Sequence, residues 1–237
     1  MDIVILSHFC MEFSRNDNDR FLYIAKRLAD RHEVEIITSD FFHTKKVHRR
    51  EVLSPQPCKV TFLHEPGYAK NVCLKRFYSH YAWGREVKKY LAARKRPDVI
   101  YCAVPSLTAA GAAAEYCRKN GIRFLVDIQD LWPEAFEMVL HIPCISTLIF
   151  YPIRLIANSI YKAADGLAAV SETYLRRGLE VNRKCKCSET VFLGTRLSDF
   201  DSNCKNLPML EKKEGELWLG IAALWERVMI SIASSMP

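Results

Sequence analysis

The sequence lacks the short motifs that hold nucleotides or acyl groups in many α/β enzymes. It contains only 9 glycines in 237 residues, and the polar loop after the first apolar run, residues 13–20, has none of them. A nicotinamide or flavin enzyme is therefore disfavoured, because the backbone approaches a pyrophosphate closely only where glycines allow it. A Walker sequence and a Gly-x-Ser-x-Gly elbow are also missing, which argues against P-loop NTPases and ordinary α/β hydrolases.

The nine cysteines are scattered and give no paired ligand spacing. The one close pair, Cys185 and Cys187, is too near and too isolated for a structural zinc site, so we expect no metal. No cleavable signal peptide precedes the cysteines, and a chain of this length buries a sizeable core without disulfides. The pattern favours a reduced, cytoplasmic compartment.

Positive charge is in excess, but its distribution does not indicate a nucleic-acid partner. The formal net charge is +7, and the whole excess lies within residues 1–100. The basic runs at residues 43–50 and 94–96 contain no phenylalanine, tyrosine or tryptophan that would stack on bases. We therefore expect a solvated basic surface without nucleic acid, while docking of that surface on anionic lipid stays open.

No apolar run is long enough to span a membrane. The most apolar segment, residues 138–153, has no formal charge, but two prolines and His141 interrupt it. A spanning helix needs about 20 consecutive apolar residues. Two interpretations remain: a helix buried against a sheet, or a patch that dips into the lipid headgroup region.

Apolar runs alternate with amphipathic patterns along most of the chain. Continuous apolar runs predict parallel strands covered on both faces, and apolar residues at helical spacing predict helices between them. The expected fold class is therefore α/β, with a doubly wound, mostly parallel, Rossmann-like sheet of seven strands. The predicted strands are residues 2–6, 34–38, 60–63, 99–103, 122–128, 166–170 and 190–193, and the predicted helices include residues 21–29, 72–94 and 107–119.

Polar residues follow nearly every predicted strand, at the edge where ligands bind in this architecture. His8 comes directly after the first strand, where it either contacts a phosphate or a sugar or forms an ordinary hydrogen bond at the rim. Ser171 follows the sixth predicted strand and is a predicted helix N-cap, with Glu172 beside it.

The most distinctive string is Asp127-Ile128-Gln129-Asp130-Leu131-Trp132-Pro133-Glu134, which follows a predicted strand. It resembles the Asp-x-x-Asp-Leu-Trp-Pro-Glu segment of family 4 glycosyltransferases, which build capsular, O-antigen and related bacterial polysaccharides. The first strand with its charged loop, the alanine-rich helix, and the strings at residues 169–174 and 191–195 occur in the family's order. The resemblance covers about residues 1–220 and corresponds to the family's N-terminal domain.

The resemblance implies one half of a GT-B fold, in which two Rossmann-like domains face each other across a cleft. The N-terminal domain of such enzymes holds the sugar acceptor, and the C-terminal domain holds most of the nucleotide-sugar donor. Transfer proceeds with retention at the anomeric carbon, usually without a metal, so this half is expected to need no cofactor of its own. Carried onto this sequence, the resemblance implies Asp130 and Asp127 as catalytic candidates, and an acceptor rim that includes, with His8, the residues Arg15, Asn16, Asp19, Arg20, Trp132, Glu134, Ser171 and Glu172.

Some of these residues also fit a purely structural role. Trp132 and Pro133 are equally expected in a packed turn between a strand and a helix, and Asp130 can cap that helix. The first loop also departs from the family, because many relatives have Gly-Gly where this chain has Asn16-Asp17-Asn18-Asp19.

The last residues of the sequence depart from the resemblance as well. Residues 217–220 resemble the entry strand of the second domain, which in relatives continues as a Tyr-x-Gly-Thr-Leu-Gly loop. Residues 221–237 can be back-translated so that one restored nucleotide, read in the neighbouring frame, gives this glycine-rich loop and a helix start. We therefore expect an acceptor-binding domain over residues 1–200, a linker and entry strand over 201–220, and an out-of-frame tail over 221–237 caused by a single-nucleotide deletion.

The expected function is the acceptor-side half of a retaining glycosyltransferase in cell-surface polysaccharide synthesis, inactive alone. The expected partners are a saccharide or lipid-linked acceptor and a membrane surface, at the inner face of the cytoplasmic membrane. One alternative is a non-catalytic acceptor- or partner-binding module that works with a separately encoded donor half. Another is half of a nucleotide-sugar epimerase, which shares the two-domain fold.

Overall fold

A computed structural model of the chain describes residues 1–11, 13, 19–49, 56–71, 73–139 and 145–194, together with residues 197, 201, 202, 214 and 215. The chain divides into two compact units, Met1–Gly194 and Thr195–Pro237. The helices and strands described below all belong to the first unit. The predicted out-of-frame tail, residues 221–237, lies outside the described residues, as does most of the predicted linker.

Nine strands are present in the described part of the chain. They are β1 (Asp2–Leu6), β2 (Glu33–Ser39), β3 (Phe41–Phe42), β4 (Val47–His48), β5 (Lys59–Leu63), β6 (Val99–Val104), β7 (Arg123–Ile128), β8 (Gly166–Ala169) and β9 (Cys187–Thr190). Seven of them form one sheet in the order β5-β2-β1-β6-β7-β8-β9, and all neighbours in it are parallel. β3 and β4 form a separate antiparallel hairpin.

Helices connect the strands of the sheet. They are α1 (Arg20–Ala29), α2 (Leu74–Ala93), α3 (Leu107–Asn120), α4 (Glu134–Val139), α5 (Ile145–Ala163) and α6 (Glu172–Val181). α1 begins where the side chain of Asp19 accepts a hydrogen bond from the backbone of Leu22, and α6 begins where Ser171 does the same for Tyr174. α3 ends at Gly121, whose φ of 62° a residue without Cβ adopts at no steric cost.

The hydrophobic core lies on both faces of the sheet. α2, α3 and α5 cover one face, where Trp83, Phe124 and Ile160 are buried. α1 covers the other face, where Phe21 and Ile36 are buried. Central strands with both faces covered need apolar side chains at every position, which explains the continuous apolar runs in the sequence.

The predicted fold class, a doubly wound parallel sheet of seven strands, is confirmed. The seventh predicted strand, 190–193, was wrong in its bounds, because β9 is Cys187–Thr190. The apolar residues Val191, Phe192 and Leu193 follow the strand and are exposed. This apolar run therefore does not mark a strand that pairs in the sheet. The hairpin β3–β4 was not predicted, since strands of two residues carry no detectable period.

The long apolar segment is neither fully buried nor a membrane span. It includes the end of α4 and the first half of α5, while residues 140–144 lie outside the described part. Phe150 packs into the protein, but five large apolar side chains of α5 are exposed: Leu148, Ile149, Tyr151, Leu155 and Ile156. Among the described residues, no helix has both the length and the apolar character needed to cross a bilayer.

Candidate functional site

The strand order reverses between β1 and β6, which leaves a crevice at the carboxyl ends of these two strands. α1 follows β1 and α3 follows β6, and the two helices belong to the cores on opposite faces of the sheet. Ligands of open α/β sheets bind at such a switch point. A cleft of about 210 Å³ opens there, and its lining includes Ser7, His8, Phe9, Pro105, Ser106 and Gln129.

A chain of buried hydrogen bonds runs from this cleft into the protein. His8 Nδ1 lies 2.9 Å from Ser106 Oγ, and His8 Nε2 contacts a carboxylate oxygen of Glu65. The other oxygen of Glu65 accepts a hydrogen bond of 2.9 Å from the Ser79 hydroxyl. The Ser79 oxygen in turn accepts the backbone N–H of Gly67 at 2.8 Å. Gly67, in the loop after β5, and Ser79, in α2, therefore position the Glu65 carboxylate, and this carboxylate in turn positions His8.

The protonation states along this chain follow from the surroundings of Glu65. Burial would raise the pKa of Glu65, but its bonds to His8 and Ser79 outweigh burial and lower the pKa below its ordinary value. An ionised carboxylate only accepts hydrogen bonds, so His8 Nε2 carries the proton. Burial lowers the pKa of His8 despite the nearby Glu65, which keeps the ring neutral and makes Nδ1 an acceptor. The Ser106 hydroxyl therefore donates to His8, and its oxygen remains able to accept a proton donor from the cleft.

The ring of His8 is fixed on both faces. It stacks on Phe9 at 4.4 Å between ring centroids and on Trp83 at 4.0 Å, and His80 meets it edge-on at 4.5 Å. Only 3% of His8 is exposed. With both nitrogens bonded and both faces covered, His8 orients Ser106 and Glu65 but offers no free atom to a ligand.

The side chain of Gln129 has a hydrogen-bond donor without a partner in the described part of the chain. Its Nε2 is buried without a partner in the described part of the chain, although the residue lines the cleft. Its backbone N–H is tied to the Val104 carbonyl at 3.1 Å, which fixes the residue at the end of β7. A buried N–H group without a partner is costly, so this donor is suited to a ligand oxygen in the cleft.

Asp127, a predicted catalytic residue, lies within β7 and is completely buried. Arg20 donates to its carboxylate from Nε at 2.8 Å and from a terminal nitrogen at 3.3 Å, and the Tyr101 hydroxyl donates at 2.6 Å. Arg20 also donates to the Val191 carbonyl at 2.9 Å. Asp127 and Arg20, a predicted acceptor-binding residue, therefore join α1, β6, β7 and the end of β9, and a ligand role for them stays a prediction.

Asp130, Trp132 and Glu134 lie on the same rim, and their polar atoms have partners within the protein. Asp130 accepts the backbone N–H of Leu131 at 2.9 Å and the indole N–H of Trp132 at 3.2 Å. Glu134 accepts from Arg177 Nε at 2.7 Å. Asp130 and Glu134 are both half-buried, whereas Trp132 is buried, and the catalytic role of Asp130 stays a prediction.

The remaining predicted rim residues divide into three cases. Asp19 is buried and caps α1, and its second oxygen accepts the backbone N–H of Met11 at 2.8 Å. Ser171 caps α6, as the sequence predicts, and Glu172 is exposed in the first turn of that helix. Arg15 and Asn16 lie outside the described residues.

Glu65, Ser106 and Gln129 were not among the predicted catalytic or acceptor-binding residues, although the sequence places them on the polar rim. Gln129 directly follows a predicted strand, and Glu65 and Ser106 come two and three residues after one. The pairing of Glu65 with His8 joins residues 57 positions apart, and no local spacing indicates it.

One side-chain cluster in the described part has donors arranged as a metal site requires. Asp40, His48 and His64 each place one ligand atom within 4.8 Å of the others. His64 Nδ1 already bonds Asp40 Oδ2 at 2.7 Å, and His48 Nε2 bonds the Glu65 carbonyl at 2.8 Å. The cluster is partly exposed, and its hydrogen bonds connect it to the backbone of Glu65. The expectation that the protein uses no metal stays a prediction.

Comparison with known proteins places most of the chain in one sequence family. The model of the glycosyl transferase 4-like domain matches residues 18–183. No curated protein matches the chain.

Solved structures with the same fold are distant in sequence. Sucrose-phosphate synthase from Thermosynechococcus elongatus is 16% identical, with a TM-score of 0.55, over 87% of this chain and 53% of that one. Anabaena Alr3699/HepE in complex with UDP is 14% identical, with a TM-score of 0.48, over 86% and 49%. Arabidopsis thaliana UGT89C1 complexed with UDP is 10% identical, with a TM-score of 0.47, over 87% and 55%. The chain thus spans about half the length of these solved proteins.

Proposed function

We propose that this chain, which belongs to the glycosyl transferase 4-like family, is the acceptor-side half of a glycosyltransferase. The observation that carries the proposal is the family match over residues 18–183, because this range contains Ser106 and Gln129 of the cleft at the switch point. The cleft lies where α/β sheets bind ligands, and it offers hydroxyl and amide groups suited to a sugar.

The acceptor hydroxyl binds between Ser106 and Gln129. A sugar hydroxyl both donates and accepts, so it donates to Ser106 Oγ and accepts from the free Gln129 amide. His8 and Glu65 are positioning residues, since they fix the direction of the Ser106 proton. Asp130, half-buried on the same rim, is the carboxylate that binds a further hydroxyl of the acceptor.

Transfer itself requires a nucleotide-sugar donor held by a second domain. The complete enzyme retains the configuration at the anomeric carbon and works in cell-surface polysaccharide synthesis. The chain alone binds acceptor and transfers no sugar.

The acceptor is lipid-linked, and the protein docks on the inner face of the cytoplasmic membrane. The support is an exposed apolar surface on α5, where Leu148 is 76% exposed and Ile149 is 61% exposed. A second apolar stripe on α2 contains Leu74, Tyr78 and Tyr81. The ring of Phe136 links the two helices. Its centroid lies 5.6 Å from that of Phe77 in α2 and 6.0 Å from that of Phe150 in α5. Exposed apolar surface of this kind marks membrane or protein contacts.

Vesicle flotation tests the docking. We expect the chain to float with vesicles containing phosphatidylglycerol and to float less with neutral vesicles, because the basic half of the chain adds electrostatic attraction. Ile149→Glu should reduce flotation on both. The control Val47→Glu, at an exposed apolar residue of the hairpin, should not reduce it. If flotation does not depend on lipid charge and is unchanged in Ile149→Glu, the proposal that the protein docks on the membrane is wrong.

The gene sequence downstream of the Gly220 codon tests the function. We expect the neighbouring frame to encode a donor-binding domain with a Glu-x7-Glu pair. The protein with its frame restored should then transfer sugar from a nucleotide sugar to a lipid-linked saccharide, with Ser106→Ala lowering the rate and the present chain showing none. A gene without glycosyltransferase coding downstream would instead favour a binding module with a separate donor half. Sugar conversion without dependence on an acceptor would favour an epimerase.

A further inference from the structure

Arg76, in the first turn of α2, is a half-buried cation without a carboxylate partner in the described part of the chain. Its guanidinium carbon lies 4.9 Å from the ring centre of Trp132 and 5.6 Å from that of Tyr68. One terminal nitrogen donates to the Asn71 carbonyl at 2.9 Å. Its Nε is buried and has no hydrogen-bond partner among the described residues.

An arginine in this position is costly to leave without an anion. Burial removes water from the charge, and aromatic faces replace only part of the lost hydration. Glu65, a buried carboxylate, already accepts hydrogen bonds from His8 and Ser79. The guanidinium of Arg76 therefore keeps donor capacity that no acidic side chain of the described protein takes up.

A second cation converges on the same groups. Lys46, in the turn between β3 and β4, donates to Asn71 Oδ1 at 2.5 Å and lies 4.8 Å from the Tyr68 ring centre. Lys46 and Arg76 thus share Asn71 and the Tyr68 ring.

The helix itself adds to the positive potential. Cys73, at the N-cap of α2, gives no side-chain hydrogen bond to the first turn, and the amide groups of a helix N-terminus favour anions. His80, one turn further along α2, stacks on Trp132 at 5.4 Å. It is 4% exposed, and its Nε2 is also without a partner in the described part. Several unsatisfied groups therefore lie around Trp132.

We propose that Arg76, Lys46 and the first turn of α2 bind an anionic group, a phosphate or a carboxylate. Arginine recognises both groups through paired N–H donors, and its planar guanidinium is held in place by the two rings. That this anion belongs to the acceptor rests on the proposed function, whereas anion binding itself does not. The site lies beside the cleft, because Trp132 and Tyr68 pack on His80, which packs on His8.

Titration of the full chain with inorganic pyrophosphate and, separately, with glucuronate tests the proposal. Tryptophan fluorescence follows binding, because Arg76 lies over the Trp132 ring, and calorimetry gives the dissociation constants. Arg76→Gln should weaken binding by about 10-fold to 100-fold, the loss expected for a charge-assisted hydrogen bond. The matched control is Arg85→Gln, at an exposed arginine of the same helix, which should leave the constants unchanged.

Each outcome decides the proposal. Tighter binding of pyrophosphate indicates an acceptor that carries phosphate, and tighter binding of glucuronate indicates an acidic sugar. No binding of either probe, or equal effects of Arg76→Gln and Arg85→Gln, overturns the site. Arg76→Lys keeps the charge and replaces the glutamine variant if that variant melts earlier than the parent chain; it should still bind several-fold more weakly. Loss of the anion site with retained binding of a neutral saccharide would leave the proposed function intact.

Discussion

Two sides of the rim differ in how their polar groups are satisfied. On the Asp127 side, Asp127 holds Arg20, Asp130 holds the indole of Trp132, and Glu134 holds Arg177. On the His8 side, the chain Ser106–His8–Glu65 is satisfied, but Arg76 Nε and His80 Nε2 beside it are buried without partners in the described part.

The difference shows that a string that is distinctive in the sequence need not carry the polar groups that are available to a ligand. The string 127–134 is the most recognisable in the sequence, yet its acidic side chains mainly connect strands and helices. Its one donor without a partner in the described part is Gln129 Nε2. The His8 side has two such atoms, Arg76 Nε and His80 Nε2, although the sequence there shows only a histidine after a strand and a basic helix. Unsatisfied buried groups and motif strength therefore point to different parts of the rim.

The largest expected effect comes from Glu65→Ala on the His8 side. This variant should lose about 3–5 kcal/mol of unfolding free energy, because it opens a cavity and leaves two buried donors, the His8 Nε2–H group and the Ser79 hydroxyl, without their acceptor, at about 1–3 kcal/mol each. Urea unfolding followed by circular dichroism measures the loss. Glu65→Gln, which keeps the shape and one acceptor oxygen, should lose less. A loss below about 1 kcal/mol for the alanine variant would mean that the carboxylate does not hold this side together.

Arg20→Met tests the corresponding contact on the Asp127 side. We expect a loss of about 3 kcal/mol, since Asp127 is fully buried and would keep only its bond to Tyr101. Arg27→Met in the same helix is the control; Arg27 bonds only the exposed Tyr23 in the described part and should change stability by less than about 0.5 kcal/mol. Equal losses for the two variants would show that the Asp127 contact is not special.

Acid should destabilise the His8 side. Burial lowers the pKa of His80 below its ordinary value of 6.5, as do the nearby His8 and Arg76, and burial lowers the pKa of His43 to about 4. The unfolded chain therefore takes up protons below pH 6.5 that the folded chain refuses, so stability falls as the pH falls. The slope is about 1.4 kcal/mol per pH unit for each such histidine.

His80→Phe tests this pH dependence. The variant should flatten the fall in unfolding free energy between pH 6.5 and 5 by the share of one histidine, because the phenyl ring has no proton to gain. The control His64→Phe changes an exposed histidine and should leave the slope nearer to that of the parent chain. An unchanged slope in His80→Phe would mean that His80 titrates in the folded protein as it does in the unfolded one.

The smallest effect is expected at Ser171. If its hydroxyl serves as the cap of α6, Ser171→Ala should cost about 1 kcal/mol, and Ser171→Gly only a few tenths. Thr173→Ala, at an exposed position of the same helix, is the control. Thermal unfolding measures all three. A silent Ser171→Ala would argue against the cap and in favour of a role in the acceptor rim.

Most of the fold could be predicted because it rests on local patterns. The apolar runs of β1, β2, β6 and β7 and the helical spacing in α1 lie within short windows. The bounds of β9 could not be predicted this way, since β9 is the string Cys187-Ser188-Glu189-Thr190, and the apolar run Val191–Leu193 begins only after its last paired residue. Similarly, the hairpin β3–β4 is too short to show a period.

The candidate site was predictable only in part. His8 at the end of β1 and Ser171 as a cap follow from local sequence, and both lie where they were expected. The exposure of one face of α5 could not be predicted from its composition, because the sequence of an apolar helix is the same whether protein or a bilayer covers it. The exposure of Leu148 and Ile149 shows that the described protein does not cover them, and membrane docking stays a proposal.

The sequence by itself determined the alternation of strands and helices, the sheet's class and the edge at which polar residues collect, because each depends on neighbours along the chain. Tertiary structure alone decided which polar groups are satisfied. Glu65 meets His8, and Arg20 meets Asp127 across 107 positions, while Arg76 lies between two aromatic rings with no acidic partner in the described part. Burial and pairing are properties of atoms that folding brings together, so the capacity to bind an anion exists only in the folded chain.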